Sequence, residues 1–161
     1  MPRAVRTTVL TIILGLCAVS LSADSRPALS GGVEGIELCP QSICGFALFV
    51  GGFEGELNSR PASGGFVGAI THDPLPEPLD TAPITGGEWT ITANQRVLQG
   101  EVTGGTILNI NGTQFCVAME LEITKGGQGT LYSTVLLDHG PFPPVVIGGV
   151  SQTPIPCSQF L

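Results

Sequence analysis

The sequence predicts an all-β domain built as a small antiparallel barrel, or alternatively a β-sandwich, of about eight or nine strands. Short segments rich in β-branched and aromatic residues are separated by glycine and proline, and no helical periodicity follows the N-terminus. Glycine doublets occur seven times, and one of them lies inside an apolar run. Glycine within a strand marks a bulge or a sharp bend, as at a barrel corner, so the doublets favour the barrel.

The first 22 residues predict a secretory signal peptide. Arg3 and Arg6 precede an apolar stretch over residues 9–21, and Ser20 and Ser22 are the small residues expected before a cleavage site after Ser22. The apolar stretch is too short to span a bilayer comfortably. We therefore expect a secreted protein, extracellular or periplasmic, with no membrane span once the signal is removed.

Beyond the signal, residues 23–36 are predicted to form a mobile leader, and residues 37–161 a single all-β domain. This part of the chain holds four basic and thirteen acidic residues. Nucleic acids and anionic membranes require basic patches on the proteins that bind them, so the excess of acid argues against both as partners. Acidity of this kind most often keeps an exported protein soluble.

Four cysteines remain after the signal: Cys39, Cys44, Cys116 and Cys157. An even number in an exported chain favours two disulfides. Cys39 and Cys44 are close enough for a local loop, whereas the alternative pairing joins Cys157 to the N-terminal segment. A zinc site is disfavoured because no CxxC pair is present and both histidines are distant in sequence.

The clearest strand covers residues 115–124, where apolar side chains alternate with Glu120 and Glu122, as expected for a strand with one buried face. The Pro-rich segment 73–83 predicts a long surface loop, and residues 152–161 an irregular tail held by Cys157. The other predicted strands are 46–57, 66–71, 88–93, 96–102, 106–110, 130–137 and 145–150.

Two similar units suggest an internal duplication of a hairpin plus one strand. Glu54 and Glu56 precede His72 at nearly the spacing by which Glu120 and Glu122 precede His139. Each unit then continues through an apolar strand, a His/Asp pair and prolines to a glycine doublet. A composition rich in glycine and threonine also produces such likeness by chance, so both interpretations stay open.

The duplicated units offer one candidate metal site, formed by His72, Asp73, Asp138 and His139. Two imidazoles and two carboxylates suit zinc or another first-row metal, and a bound metal could activate water for hydrolysis. The spacing within each pair is not that of a preformed site. The alternative is that each pair ends a strand, with the aspartate capping a turn.

No catalytic residue is assigned from the sequence, and no cofactor is predicted. The alternating glutamates resemble the two carboxylates of a glycosidase, but they lie opposite apolar faces and should be solvated. No nucleophile motif or phosphate-binding glycine loop is present.

Trp89 is the candidate ligand-binding residue. Gly87-Glu88-Trp89 resembles the Gly-x-Trp motif of lipocalins, which are eight-stranded barrels that carry ligands. In that family the motif opens the first strand, whereas here it lies in the middle of the chain, so three residues do not assign the family. A simpler interpretation makes Trp89 a core aromatic.

The sequence thus predicts a non-catalytic binding, adhesion or structural module. Its partner would be a protein, a glycan or a small apolar ligand. The alternatives are a barrel that carries a small apolar ligand, and a metal-dependent hydrolase that uses the His/Asp pairs.

Overall fold

The computed structural model describes residues 26–75 and 77–159, and they form a closed antiparallel barrel of eight strands. Each strand pairs with the next in sequence, and the last pairs with the first, which confirms the predicted barrel. The predicted signal peptide lies outside the described residues. The elements are β1 (Leu29–Cys39), α1 (Gln41–Cys44), β2 (Ala47–Leu57), β3 (Arg60–His72), β4 (Thr81–Ala93), β5 (Arg96–Asn109), β6 (Gln114–Lys125), β7 (Thr130–Asp138), β8 (Val145–Ser151) and a short 3-10 helix (Cys157–Gln159).

The two ends of the barrel are built differently. At one end, β2–β3 and β4–β5 are joined by the two-residue turns Asn58-Ser59 and Asn94-Gln95, in which every residue has positive φ. Such turns match the twist of the strands they join and keep the connection tight. At the other end the connections 40–46, 73–80, 110–113 and 139–144 are longer. We call the first the closed end and the second the open end.

Paired glycines allow the strands to bend into a small barrel. Gly35 of β1 lies opposite Gly51 of β2, and a Cβ on Gly35 would come within 2.1 Å of the Val50 carbonyl oxygen. The reciprocal Cβ on Gly51 would come within 2.2 Å of the Glu34 oxygen. The two backbones therefore approach more closely than any other residue would permit, as the glycine doublets suggested.

The core extends to the closed end of the barrel. Leu29, Ala93, Leu98 and Leu131 lie within a few residues of that end, and each is at most 1% exposed. A fully buried leucine stabilises the fold by about 2 kcal/mol.

Three sequence predictions need correction. Residues 29–36 belong to β1, which pairs with both β2 and β8, so they are not a mobile leader. The glycines there are positions of close strand contact and not signs of a flexible segment. The Pro-rich segment is a connection only as far as Asp80, because β4 begins at Thr81. The predicted strands 96–102 and 106–110 form one strand, β5, with a register shift between Val102 and Gly104.

The four cysteines form two disulfides, Cys39–Cys44 and Cys116–Cys157. These confirm the predicted disulfides and the local loop, and they indicate an oxidising, extracellular-type environment. The second disulfide holds residues 152–159, which we call the C-terminal strap, against the outside of β6 and β7. The Thr134 hydroxyl also donates a 2.7 Å hydrogen bond to the Ile155 carbonyl within the strap. Within the described residues, no helix is both long and apolar enough to cross a membrane.

Candidate functional site

The open end contains a cavity of about 690 Å³. Its volume lies within the range of small-molecule sites, which are mostly apolar with a few placed polar groups. The side chains of α1 and of the connection after β3 border its entrance, and the barrel interior supplies its walls. The apolar wall includes Ala47, Phe49, Ile70, Ile107, Phe115, Val117 and Leu137; the polar lining includes Glu37, Gln41, Ser42, His72 and His139.

Glu37 and His139 form a hydrogen-bonded pair in this lining. His139 Nε2 lies 2.9 Å from Glu37 Oε2, and the side chains are 29% and 3% exposed, respectively. The imidazole also packs on Phe115, with ring centroids 5.3 Å apart. With Glu37 ionised, Nε2 carries the shared proton, because a carboxylate only accepts hydrogen bonds.

The topology explains why two residues 102 positions apart meet. The side chain of Glu37 lies on the inner face of β1, as do those of Leu29 and Val33, and Glu37 is near the open end of that strand. His139 follows the last residue of β7 at the same end, and its backbone N–H donates a hydrogen bond to the Thr113 carbonyl oxygen. Barrel closure through β8 brings these two strands together.

Gln41 of α1 fixes the position of His72 at the cavity entrance. Its side-chain amide donates a 2.7 Å hydrogen bond to the His72 carbonyl and accepts one of 2.8 Å from the His72 backbone N–H. The Cys39–Cys44 disulfide closes the loop that carries Gln41, so the short helix is tethered beside β3. His72 Nδ1 contacts the carbonyl oxygen of Asp73.

Asp138 has a structural role in the turn after β7. Its Oδ2 accepts a hydrogen bond from Gln114 Nε2 at 3.0 Å, and its Oδ1 accepts one from the Gly140 backbone N–H at 2.8 Å. The hydrogen bond from Gln114, with that from Gly140 and a smaller contribution from His139, lowers the pKa of this carboxyl. This is the turn-capping arrangement considered from the sequence.

The structure brings the two histidines of the predicted metal site to one cavity but does not group all four residues around a common point. Asp73 is exposed, and the Asp138 carboxylate is held by its turn. No three His, Cys, Asp or Glu side chains in residues 26–75 and 77–159 are arranged to hold a metal ion. Geometry therefore offers the metal hypothesis no support.

Trp89 lies deeper in the barrel and is 5% exposed. It lines a separate interior space of about 50 Å³, which shares the walls Phe49 and Ile70 with the larger cavity. Its indole N–H, packed against Gly100, has no hydrogen-bond partner among the described residues. Trp89 is therefore a core aromatic close enough to the cavity walls to respond to changes there. The four glutamates considered as glycosidase carboxylates are exposed, as expected.

Glu37 is the candidate site residue that the sequence does not predict. Once residues 29–36 are assigned to a leader, Glu37 stands at a domain edge and shows no periodicity. The sequence does show that Glu37 is an even number of residues from Leu29 and Val33, so in an extended strand all three share one face. That spacing places a carboxylate on the buried face of the strand β1.

The geometry gives a largely apolar cavity with one carboxylate–imidazole pair, in which the carboxylate is buried and the imidazole is partly exposed. Such a pair can accept hydrogen bonds from a bound molecule and can exchange a proton with it. Comparison with known proteins adds no further assignment, because no protein family, curated protein or solved structure matches this chain.

Proposed function

We propose that this protein is an exported, non-catalytic binding protein that holds a small, mostly apolar molecule in the open end of its barrel. The observation that carries the proposal is the 690 Å³ cavity and its mainly apolar wall. The closed barrel and the longer connections at the open end suit a rigid container with an adaptable entrance.

Exposed apolar side chains on the connections of the open end support this proposal. Phe142, Leu79 and Ile43 are 98%, 78% and 77% exposed, and all three lie on connections of the open end. Monomeric soluble proteins seldom leave several large apolar side chains exposed close together unless they bind something. These side chains would lower the cost of moving an apolar molecule from water into the cavity.

Export rests on the predicted signal peptide together with the two disulfides. The disulfides suit an oxidising compartment, where a carrier would meet ligands released from cells or taken up from outside. Acidic side chains over the outer wall would keep such a protein soluble.

Binding is tested by native mass spectrometry and isothermal titration calorimetry with uncharged apolar probes such as 1-decanol. We expect stoichiometric binding, accompanied by a change in the fluorescence of Trp89, the single tryptophan. Ala47→Leu fills part of the cavity and should weaken binding about tenfold or more. Ala69→Leu makes the same change on the outer face of β3 and should leave affinity unchanged. Absence of binding across a range of chain lengths would refute the proposal.

A further inference from the structure

We propose that the molecule held in the cavity carries a positively charged nitrogen, and that Glu37 is the residue that binds it. This inference rests on the proposed function, since it names the chemical class of the ligand for the same cavity. The ligand would be an amphipathic amine, with an apolar body along the barrel wall and its ammonium group at Glu37.

The first reason is that the Glu37 carboxylate is buried and can accept further hydrogen bonds. It is the one buried charged side chain among the described residues, and it lines the cavity. Within those residues, the one side chain that donates to this carboxylate is His139, which reaches Oε2. An ionised carboxylate accepts about four hydrogen bonds, so Oε1 retains capacity toward the cavity. A buried carboxylate is costly unless it is paired and hydrogen-bonded, and an ammonium group would supply both.

The second reason is that the Glu37–His139 pair is not needed to stabilise the fold. Removing a carboxylate from water costs free energy that its hydrogen bond to a partly exposed imidazole does not reliably repay, and apolar residues of similar volume often stabilise a core equally well. The cavity wall on the barrel side of the pair is mainly apolar. A carboxylate at this position is therefore better explained by recognition of a ligand than by folding.

The third reason is the distribution of charge along the barrel. Five acidic residues lie at the open end: Glu37, Asp73, Glu77, Asp80 and Asp138. Within residues 26–75 and 77–159, no lysine or arginine lies there. All four basic residues after the predicted signal lie at the closed end: Arg26, Arg60, Arg96 and Lys125. The field at the entrance therefore attracts cations, which raises their local concentration and their rate of entry.

Other polar groups fit the entrance less well. A ligand carboxylate would meet Glu37 and the acidic rim, and His72 and His139 are the only basic side chains among the described residues that line the cavity. A hydroxyl group could donate one hydrogen bond to Oε1 but would leave the buried charge uncompensated. An ammonium group donates charge-assisted hydrogen bonds, which are about twice as strong as neutral ones. The aromatic ring of Phe49 in the wall offers the same cation a further attractive surface.

The test compares three probes with the same apolar chain, decylamine, 1-decanol and decanoate, by isothermal titration calorimetry at neutral pH and below their aggregation concentrations. We expect decylamine to bind about 10- to 100-fold more tightly than 1-decanol, and decanoate to bind most weakly. Glu37→Gln preserves the shape and removes the charge, so it should abolish the preference for the amine and leave 1-decanol binding almost unchanged.

Glu34→Gln is the matched control. Glu34 lies in the same strand on the exposed outer face, and its substitution changes the net charge equally. This variant should keep the amine preference. If 1-decanol or decanoate binds as tightly as decylamine, or if Glu37→Gln keeps the preference, the inference is overturned while the proposed function stands. If no probe binds the wild-type protein, the proposed function itself fails. Retained 1-decanol binding shows that each variant is folded.

Discussion

The Cys116–Cys157 disulfide should contribute more to stability than Cys39–Cys44, and the difference can be estimated from the lengths of the closed loops. The cysteines are 41 residues apart in the first case and 5 in the second. On a chain-entropy basis, the longer loop stabilises the fold by about 4 kcal/mol and the shorter one by about 2 kcal/mol. The longer loop includes β7 and β8, which complete the barrel.

The double variants Cys116→Ala/Cys157→Ala and Cys39→Ala/Cys44→Ala measure these contributions. Urea unfolding without reductant, followed by circular dichroism and by Trp89 fluorescence, gives the free energy of unfolding for each. We expect the strap variant to be less stable than the loop variant by about 2 kcal/mol, or about 30-fold in the unfolding equilibrium. The free energy of unfolding of the wild-type protein in reductant should fall by the sum of the two disulfide contributions.

Equal losses of stability in the two double variants, or a larger loss in the loop variant, would contradict this estimate. Equal losses would mean that the local contacts of each disulfide outweigh the restriction of the unfolded chain. Alanine is preferred to serine because Cys116 is fully buried, and a buried hydroxyl would add a separate cost.

Two further substitutions test the open end. Asp138→Asn should make the free energy of unfolding depend less on pH at acid pH. The pKa of Asp138 is lowered in the folded state, so the ionised carboxylate stabilises the fold above its ordinary pKa of 3.8. This stabilisation is lost as the pH falls through the folded-state pKa. Urea unfolding across that pH range would show it; parallel profiles for wild type and variant would contradict it. Gln41→Ala removes two hydrogen bonds to the His72 backbone and should cost about 1–3 kcal/mol. It should also weaken 1-decanol binding, and unchanged melting and affinity would show that Gln41 does not hold the entrance.

Much of the fold was predictable because alternation and glycine placement are local signals. The strand at residues 115–124 agrees closely with β6, since its inward apolar side chains alternate with exposed glutamates. The glycine doublets likewise indicate bends in the strands without any knowledge of strand pairing. β1 was missed because its glycines suggest flexibility unless the opposing strand is known, and Gly35 makes sense only opposite Gly51.

The site was predictable only in part. In an up-and-down barrel the odd-numbered strands all end at the same rim, so His72 and His139 meet at one end wherever the strands are assigned correctly. The partner of His139 was not predictable, because Glu37 lies 102 residues away and reaches it only through barrel closure. Turn capping by Asp138, in contrast, is a local interaction and was recognised from the sequence.

Because acidic residues gather at the open end and basic residues at the closed end, the two ends of the barrel interact differently with a large charged surface. A barrel with strands of this length measures roughly 30 Å from end to end, whereas charges in physiological salt are screened within about 8 Å. An extended surface therefore senses mainly the end that faces it. The closed end presents Arg60, Arg96 and Lys125, with Glu56 and Glu122 on the nearby outer wall. An anionic surface would favour contact through that end, which would leave the cavity entrance directed toward the solution, although the protein as a whole is acidic.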